Sequence, residues 1–266
     1  MNENSGKHAA VNGLDLYYEI HGEGEPLILL HGGVGAIEMF GEVLPLLAEG
    51  RRVIAVDLQA HGRTVDIDRP TTFDAMADDV AALIEHLGLG EADVMGYSLG
   101  GGVALRTAIQ HPEAVSKLVL VSTPFKRDGW YPEVLAGMEQ MGPAAAEPMK
   151  QTPMYQLYSS VAPRPEDWPV LLTKLGELLA QDYDWSEEVA AMEVPAMIVV
   201  GDADSVRTPW HSSSCCAAVS KMPGGMVPGC PMLGSPSCQA RRITASFSLR
   251  RWLPPSRRSL THQGYK

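Results

Sequence analysis

The sequence predicts an α/β fold in which a mostly parallel sheet carries helices on both faces. Two observations predict it. Short apolar runs typical of buried strands alternate with segments of helical periodicity over residues 14–124, and a further apolar run follows at 196–201. One strand pattern also leads directly into a helix pattern through the glycine-rich turn at residues 96–100.

The strands and helices are predicted in order along the chain. Residues 14–20 alternate apolar and polar side chains, the pattern of a half-exposed edge strand. Thr72 can cap a helix that ends at Gly88, and residues 101–111 form a second helix. Continuous apolar runs predict buried strands at residues 26–30, 52–57, 92–95, 117–122 and 196–201.

The domain organisation follows from a break in this rhythm. Residues 125–185 contain several prolines, tryptophans, methionines and tyrosines. We expect them to form a helical lid over the sheet, with most of these large side chains packing a small core of the lid itself. The α/β core then comprises residues 1–124 and 186–207, and residues 208–266 form an atypical basic tail.

Composition excludes several classes of protein. The chain is 45% hydrophobic and 20% charged with a net charge of -11, and no apolar run approaches the roughly 18–20 residues of a membrane span. The first ten residues lack the apolar segment of a signal peptide. Residues 1–204 contain no cysteine, which suits a reducing cytoplasm. Their acidity argues against nucleic acid as a partner. We therefore expect a cytoplasmic protein with no membrane or nucleic-acid partner.

The candidate nucleophile is Ser98, in the turn Gly96-Tyr97-Ser98-Leu99-Gly100. A Gly-x-Ser-x-Gly sequence between a strand and a helix is a nucleophile elbow, in which a strained serine projects its hydroxyl above the sheet. The flanking glycines allow neighbouring backbone to approach without a Cβ clash. This motif predicts nucleophilic catalysis by Ser98.

A serine nucleophile needs a base, an acid that orients the base, and donors for the oxyanion. One donor is the backbone N–H of Leu99, at a helix N-terminus, and the other is that of Gly33, in the loop after the strand at 26–30. The acid is expected where a later strand ends. Asp202 and Asp204 both fit, and Asp204 is preferred because the loop can turn inward there.

These motifs resemble the α/β-hydrolase fold family, in its small-esterase, enol-lactonase and cofactor-free haloperoxidase-like branch. The matching pieces are His31-Gly32-Gly33, the segment 57–64, the turn 96–100 and Gly201-Asp202-Ala203-Asp204, in family order. The resemblance implies a Ser98 nucleophile, an Asp204 acid, an oxyanion hole from Gly33 and Leu99, and a lid. The family usually has glycine where Ala60 stands.

The tail departs from the family, which places its base in a Gly-x-x-His type motif some tens of residues past the acid. Residues 231–249 contain no histidine; the tail offers only His211, which is too close to Asp204, and His262. Residues 205–266 also hold nine Lys and Arg, all four cysteines and no Asp or Glu. The cysteine spacing does not match a zinc site. We expect no metal and no cofactor.

We interpret this tail as an out-of-frame translation that begins near Arg207. With permitted codons, the segment 237–244 can be read one base earlier as Leu-Pro-Gly-Thr-Ser-His-His, which contains the missing motif. A natural divergent tail that binds something, or His262 folding back as the base, are the alternatives. A tail with so little periodic apolar pattern is expected to be irregular or poorly packed.

The predicted function is hydrolysis of a small or medium carboxylic ester through an acyl-Ser98 intermediate. Lactone hydrolysis or perhydrolysis by the same residues is an alternative, so the expected partner is a small-molecule ester or lactone. A catalytically silent scaffold is the alternative from another class, because the base is missing. The sequence predicts neither an acyl-chain preference nor an oligomeric state.

Overall fold

The fold is given by a computed structural model that describes residues 6–200, Asp204 and Val206. Its centre is a seven-stranded sheet with the order β1-β2-β4-β3-β5-β6-β7. β1 and β2 are antiparallel to their neighbours, and the other pairs are parallel. The strands are β1 (Lys7–Val11), β2 (Leu14–His21), β3 (Glu25–Leu30), β4 (Arg51–Val56), β5 (Ala92–Tyr97), β6 (Val115–Val121) and β7 (Ala196–Val199).

The expectation that residues 14–20 form an edge strand is wrong. β2 pairs with β1 on one side and with β4 on the other, so β1 is the edge. Asn12 and Gly13 join β1 to β2 with φ angles of 48° and 80°. An Asn-Gly pair is a strong hairpin signal because both residues tolerate a positive φ. That dipeptide indicated a first strand that the alternation pattern alone did not predict.

Helices cover both faces of the sheet, as predicted. Alternate residues of β3 and β4 point to opposite faces, so Ile28 and Ile54 belong to one apolar cluster while Leu27 and Val53 belong to the other. The first cluster includes side chains of α2 and α3, and the second includes Leu44 of α1. The helices are α1 (Val43–Leu47), α2 (Phe73–His86), α3 (Leu99–Gln110), α4 (Pro132–Glu139), α5 (Ala146–Met149), α6 (Pro153–Val161), α7 (Trp168–Ala180) and α8 (Ser186–Ala191).

Local signals fix the ends of α2 where the sequence predicts them. The Thr72 side chain accepts a hydrogen bond from the Ala75 N–H at 3.0 Å, which caps the helix. Gly88 follows the helix with a φ of 64°, a left-handed conformation that glycine adopts without strain. The apolar face of α2 then packs onto the sheet through Val80, Leu83 and Ile84.

The segment between β6 and β7 is helical and has a buried aromatic centre. Trp168 is fully buried and lies edge-on to Tyr155 at a ring-centroid distance of 5.4 Å. Its indole N–H donates to the Ala146 carbonyl at 3.1 Å. Trp168 belongs to the same apolar cluster as Ile28 and Leu30 of the sheet, so the segment packs onto the main core and does not form a separate one. Within the described residues, no helix is both long and apolar enough to cross a membrane.

Replacing Gly13 by alanine should lower the free energy of unfolding by about 1 kcal/mol, because a left-handed φ is unfavourable for a residue with a Cβ. Gly13 has open space around the position of an added Cβ, so the effect reports backbone strain. Gly137 in α4 also has open space but has no positive φ. Gly137→Ala should therefore raise stability by up to about 1 kcal/mol. Urea denaturation of both variants measures the change in the free energy of unfolding. Equal changes in the two variants would contradict the assignment of backbone strain to position 13.

Candidate active site

Ser98 lies in a strained turn at the carboxyl end of a central strand. It follows the last residue of β5 and precedes the first residue of α3, with φ 52° and ψ -114°. A positive φ is uncommon for a residue with a side chain and is maintained only where the surroundings enforce it. The Ser98 N–H donates to the Val121 carbonyl at 2.9 Å, and the Ser98 carbonyl accepts from the Gly102 N–H at 3.1 Å.

Two glycines make this turn possible. A Cβ on Gly96 would lie 2.0 Å from the Gly100 carbonyl oxygen, and a Cβ on Gly100 would lie 2.4 Å from the Leu30 carbonyl oxygen. Both distances are far below van der Waals contact, so only glycine fits at either position. The turn therefore joins β5, α3 and the end of β3 into one tightly packed unit, as the sequence predicts.

The two predicted oxyanion donors lie side by side. Leu99 is the first residue of α3, where a backbone N–H has no carbonyl one turn earlier to which it could donate. Gly33 lies in the loop after β3, and a Cβ there would be 3.9 Å from the Leu99 Cβ. The Gly100 N–H donates to the His31 carbonyl at 3.0 Å, which ties this loop to the start of α3.

His31 links the loop to the backbone at Leu58 and lies outside the cavity lining. It is fully buried, its Nε2 accepts from the Leu58 N–H at 3.1 Å, and its Nδ1 therefore donates to the Gly32 carbonyl at 2.8 Å. Burial lowers the pKa of His31 to about 4, so the ring is neutral at physiological pH. His61 lies beside it at a ring-centroid distance of 5.2 Å, and burial lowers its pKa to about 3.

A buried carboxylate binds the backbone at the end of the loop that follows β3. Asp57 accepts from the Ile37 N–H and from the Arg63 N–H, each at 2.9 Å. The Arg63 guanidinium also contacts Asp57 at 3.2 Å and pairs with Glu38. Burial nevertheless raises the pKa of Asp57 to about 6. Position 62 accommodates only glycine, because an added Cβ would lie 2.3 Å from the carboxyl carbon of Asp57.

A cavity of about 190 Å³ opens above the turn and reaches Ser98, Leu99 and Gly33. This volume is below the roughly 300–1,000 Å³ of pockets for drug-sized ligands. Most of the lining residues are apolar, and most belong to the segment between β6 and β7. The other lining residues are Val34, Phe73, Thr123, Arg127, Trp130, Met138, Met141, Leu175, Leu178, Leu179 and Tyr183.

Sequence reasoning did not identify this lining. Trp130, Met138, Met141 and Tyr183 were expected to pack mainly within the lid, but they also face the cavity. Arg127 was not considered at all. No spacing rule could have found these residues, because they come from separate parts of the segment and meet only after it folds over the sheet.

Asp204 follows β7, which is two strands from β5 in the sheet, and it lies outside the cavity lining. One of its carboxylate oxygens accepts from the Ser122 hydroxyl at 2.6 Å, and the other accepts from the Val206 N–H at 3.3 Å. Ser122 directly follows β6, whose last residue, Val121, accepts the N–H of Ser98. The competing candidate, Asp202, is outside the described residues.

No histidine of the described residues lines the cavity. The two candidates for the base, His211 and His262, and the whole tail from Arg207 onward lie outside the described residues. In the part of the chain that the structure describes, no group of three or more His, Cys, Asp or Glu side chains is placed to hold a metal ion.

Comparison with known proteins settles the fold family. The model of the alpha/beta hydrolase fold matches residues 25–221, which is most of the chain. The chain belongs to the alpha/beta hydrolase fold family. Membership confirms the predicted fold class, the resemblance stated from the motifs, and the assignment of the protein to the hydrolases.

Individual relatives agree with this assignment. The AB hydrolase superfamily protein YisY of Bacillus subtilis is 30% identical over 213 residues, 72% of this chain and 78% of that protein. The bifunctional esterase/perhydrolase DCH of Acinetobacter calcoaceticus is 28% identical over 261 residues, 87% of this chain and 94% of that one. Against some other relatives the match is partial, and the chain covers only 29%, 38% and 40% of their lengths.

A solved structure shows the same fold. The enol-lactonase from Burkholderia xenovorans LB400 matches with a TM-score of 0.62 at 22% identity, over 80% of this chain and 88% of that one. At this level of identity the likeness concerns the fold alone.

The buried histidines predict an acid-sensitive stability. Unfolding restores ordinary pKa values, so below about pH 6.5 the unfolded chain binds protons that neutral His31 and His61 do not, and stability falls toward pH 4. Each histidine contributes up to about 1.4 kcal/mol per pH unit. Asp57, with a raised pKa, acts in the opposite direction between about pH 4 and 6 but is a single group.

His61→Asn should therefore flatten the decline between pH 6 and pH 4.5. The asparagine amide can replace the contact of the His61 Nδ1 with the Gln59 carbonyl, at 2.8 Å. His86→Asn, at an exposed position, is the matched control and should keep the slope of the parent. Urea denaturation at several pH values measures the slopes; an unchanged slope in His61→Asn would contradict the assignment of a buried neutral histidine.

Proposed function

We propose that this protein is a serine hydrolase that cleaves small or medium carboxylic esters through an acyl-Ser98 intermediate. The observation that carries the proposal is the strained backbone of Ser98 at the carboxyl end of β5, directly beneath a cavity that Gly33 and Leu99 also line. A serine held at a positive φ in this position is costly for the fold, and such strain concentrates at functional sites.

The proposed reaction begins when the Ser98 hydroxyl oxygen attacks the ester carbonyl carbon and a base accepts the hydroxyl proton. The N–H groups of Gly33 and Leu99 donate to the oxygen that becomes negative. Collapse of the tetrahedral intermediate breaks the bond to the alcohol, which leaves with the proton from the base. Water then attacks the acyl-Ser98 ester in the same way and releases the acid.

Asp204 is proposed as the acid that orients the base. Its position fits this role: it lies beyond β6, held by the Ser122 hydroxyl, and outside the cavity that the substrate would occupy. The base itself belongs to the tail, as His262 or as a histidine restored by correcting the reading frame near Arg207.

Residues 125–185 are proposed to act as a lid, with the core at 1–124 and 186–207. Side chains from α4 and α7 supply much of the apolar lining above Ser98. An added Cβ on Gly33 would touch Leu175 at 3.4 Å, so α7 lies directly over the oxyanion loop. A cytoplasmic location remains part of the proposal.

Lactone hydrolysis or perhydrolysis by the same residues is the second candidate. A relative that this chain matches over 94% of its length is named as a bifunctional esterase/perhydrolase. A lactone is an internal ester, so its hydrolysis needs no additional group. A catalytically silent scaffold is the outcome if no base completes the site.

The chain as it stands should turn over p-nitrophenyl acetate and butyrate poorly, because loss of one triad member costs roughly 10³-fold or more in turnover. Steady-state assays against a chain with the corrected frame measure the difference. Ordinary turnover by this chain would mean that the tail supplies a base. His262→Ala should then abolish it, and full activity of that variant would refute the assigned machinery.

External imidazole should partly restore turnover, since it can accept the serine proton in place of a side chain. The restored rate should depend on Ser98, so Ser98→Ala should show only the rate of imidazole in solution. Ser160→Ala, on the exposed side of α6, is the control and should behave like the parent. Equal rescue of Ser98→Ala would eliminate Ser98 as the nucleophile, and no rescue at any ester length would favour the silent scaffold.

A further inference from the structure

Thioether, aliphatic and phenyl side chains make up most of the lining of the cavity above Ser98, and two residues with polar side chains, Arg127 and Tyr183, also belong to it. Arg127 is the only cationic side chain among the described residues that line the cavity. An apolar site with a few convergent polar groups uses those groups to orient its ligand.

The Arg127 side chain has an unused hydrogen-bond donor. Its Nε is buried and has no hydrogen-bond partner among the described residues. Its terminal nitrogen contacts the Glu139 carboxylate at 3.5 Å, and the Glu139 side chain is 64% exposed. A long, solvent-exposed ion pair contributes little, and it leaves the buried N–H unsatisfied. A buried donor without an acceptor is destabilising, so its presence at a cavity wall needs an explanation.

Tyr183 offers a second donor beside the first. Its hydroxyl oxygen accepts from the Trp130 indole N–H at 3.2 Å, so the hydroxyl hydrogen is left to be donated. Burial raises the pKa of Tyr183 to about 12, and the phenol therefore keeps this hydrogen at neutral pH. The backbone also fixes the pair, because the Arg127 N–H donates to the Tyr183 carbonyl at 2.9 Å.

We propose that the substrate carries a carboxylate, which the Arg127 guanidinium and the Tyr183 hydroxyl receive while the ester or lactone carbonyl lies at Ser98. That the bound carboxylate belongs to a substrate rests on the proposed function. The binding of a carboxylate at Arg127 does not depend on that function. Arginine suits the role because its planar fork presents several donors to a carboxylate.

The negative charge of the rest of the chain strengthens the argument that Arg127 binds an anion. Residues 1–204 carry 12 Lys and Arg against 32 Asp and Glu, a formal charge of -20. Such a surface repels anions in general. An anionic substrate would therefore depend on a local cation inside the site, in an apolar setting where charge interactions are strong. A neutral ester would need no such group.

A binding measurement tests the inference without any chemistry. Titration calorimetry in the Ser98→Ala background compares succinate with succinamide, which has the same shape and no charge. Succinate should bind at least tenfold more tightly than succinamide, and Arg127→Gln should remove that difference. Arg164→Gln, whose side chain is 50% exposed and paired with Asp167, is the control and should keep the difference. Equal binding of the two compounds by the unaltered cavity would overturn the inference.

Glu139→Gln distinguishes the inference from a purely structural role of Arg127. If Arg127 exists to pair with Glu139, removing the carboxylate should mimic Arg127→Gln. If Arg127 serves a ligand, Glu139→Gln should keep or strengthen succinate binding, because a competing anion is gone. Succinate affinity that falls equally in both variants would overturn the inference.

Steady-state kinetics distinguish failure of the proposed carboxylate site from failure of the proposed function. In the presence of imidazole, the ratio of kcat/KM for p-nitrophenyl hemisuccinate to that for p-nitrophenyl butyrate should fall at least tenfold in Arg127→Gln. An unchanged ratio with active Ser98 would refute the carboxylate site alone. If no ester were turned over but succinate binding still depended on Arg127, the proposed hydrolase function would be refuted and the carboxylate site would stand.

Discussion

The backbone of Ser98 is the constraint on which the arrangement of the site depends. Its left-handed conformation is compatible with the fold only because Gly96 and Gly100 let β5, α3 and the end of β3 approach within distances that no side chain permits. The same close approach ties the loop after β3 to α3, because the Gly100 N–H donates to the His31 carbonyl. The proposed nucleophile and the proposed oxyanion donors are thus positioned by a single packing requirement.

The sheet order extends this arrangement to both sides. β3 and β6 flank β5, so the loop after β3 lies on one side of Ser98, and Ser122 with Asp204 lies on the other. In a parallel sheet these loops emerge at the same edge, where ligands of α/β proteins bind. The segment between β6 and β7 supplies most of the residues that line the cavity at this edge, and among them is one cation, Arg127.

Much of the fold could be predicted from the sequence because its signals are local. Apolar runs gave the central strands, and Thr72 and Gly88 marked the ends of α2. The Gly-x-Ser-x-Gly turn gave the position of Ser98. β1 was missed because the Asn12-Gly13 signal was not used, and without it β2 was assigned to the edge.

The rest of the site could not be predicted because it is made by tertiary packing. Arg127 and Tyr183 come together through a backbone hydrogen bond between residues far apart in sequence, and no periodicity encodes that contact. The partner of Asp204, Ser122, is likewise known only from the fold. The proposed base depends on the sequence after Arg207, because this basic, cysteine-containing segment lacks the expected Gly-x-x-His type motif.

Covalent labelling tests the central claim most directly. The chain is treated with a fluorophosphonate ester in the presence of imidazole and analysed by intact mass and peptide mapping. Because an activated serine oxygen displaces fluoride and keeps the phosphonyl group, the account predicts a single adduct on the peptide that contains Ser98. Arg164→Gln should be labelled equally, and Ser98→Ala not at all. An adduct on another residue, or undiminished labelling of Ser98→Ala, would contradict the account.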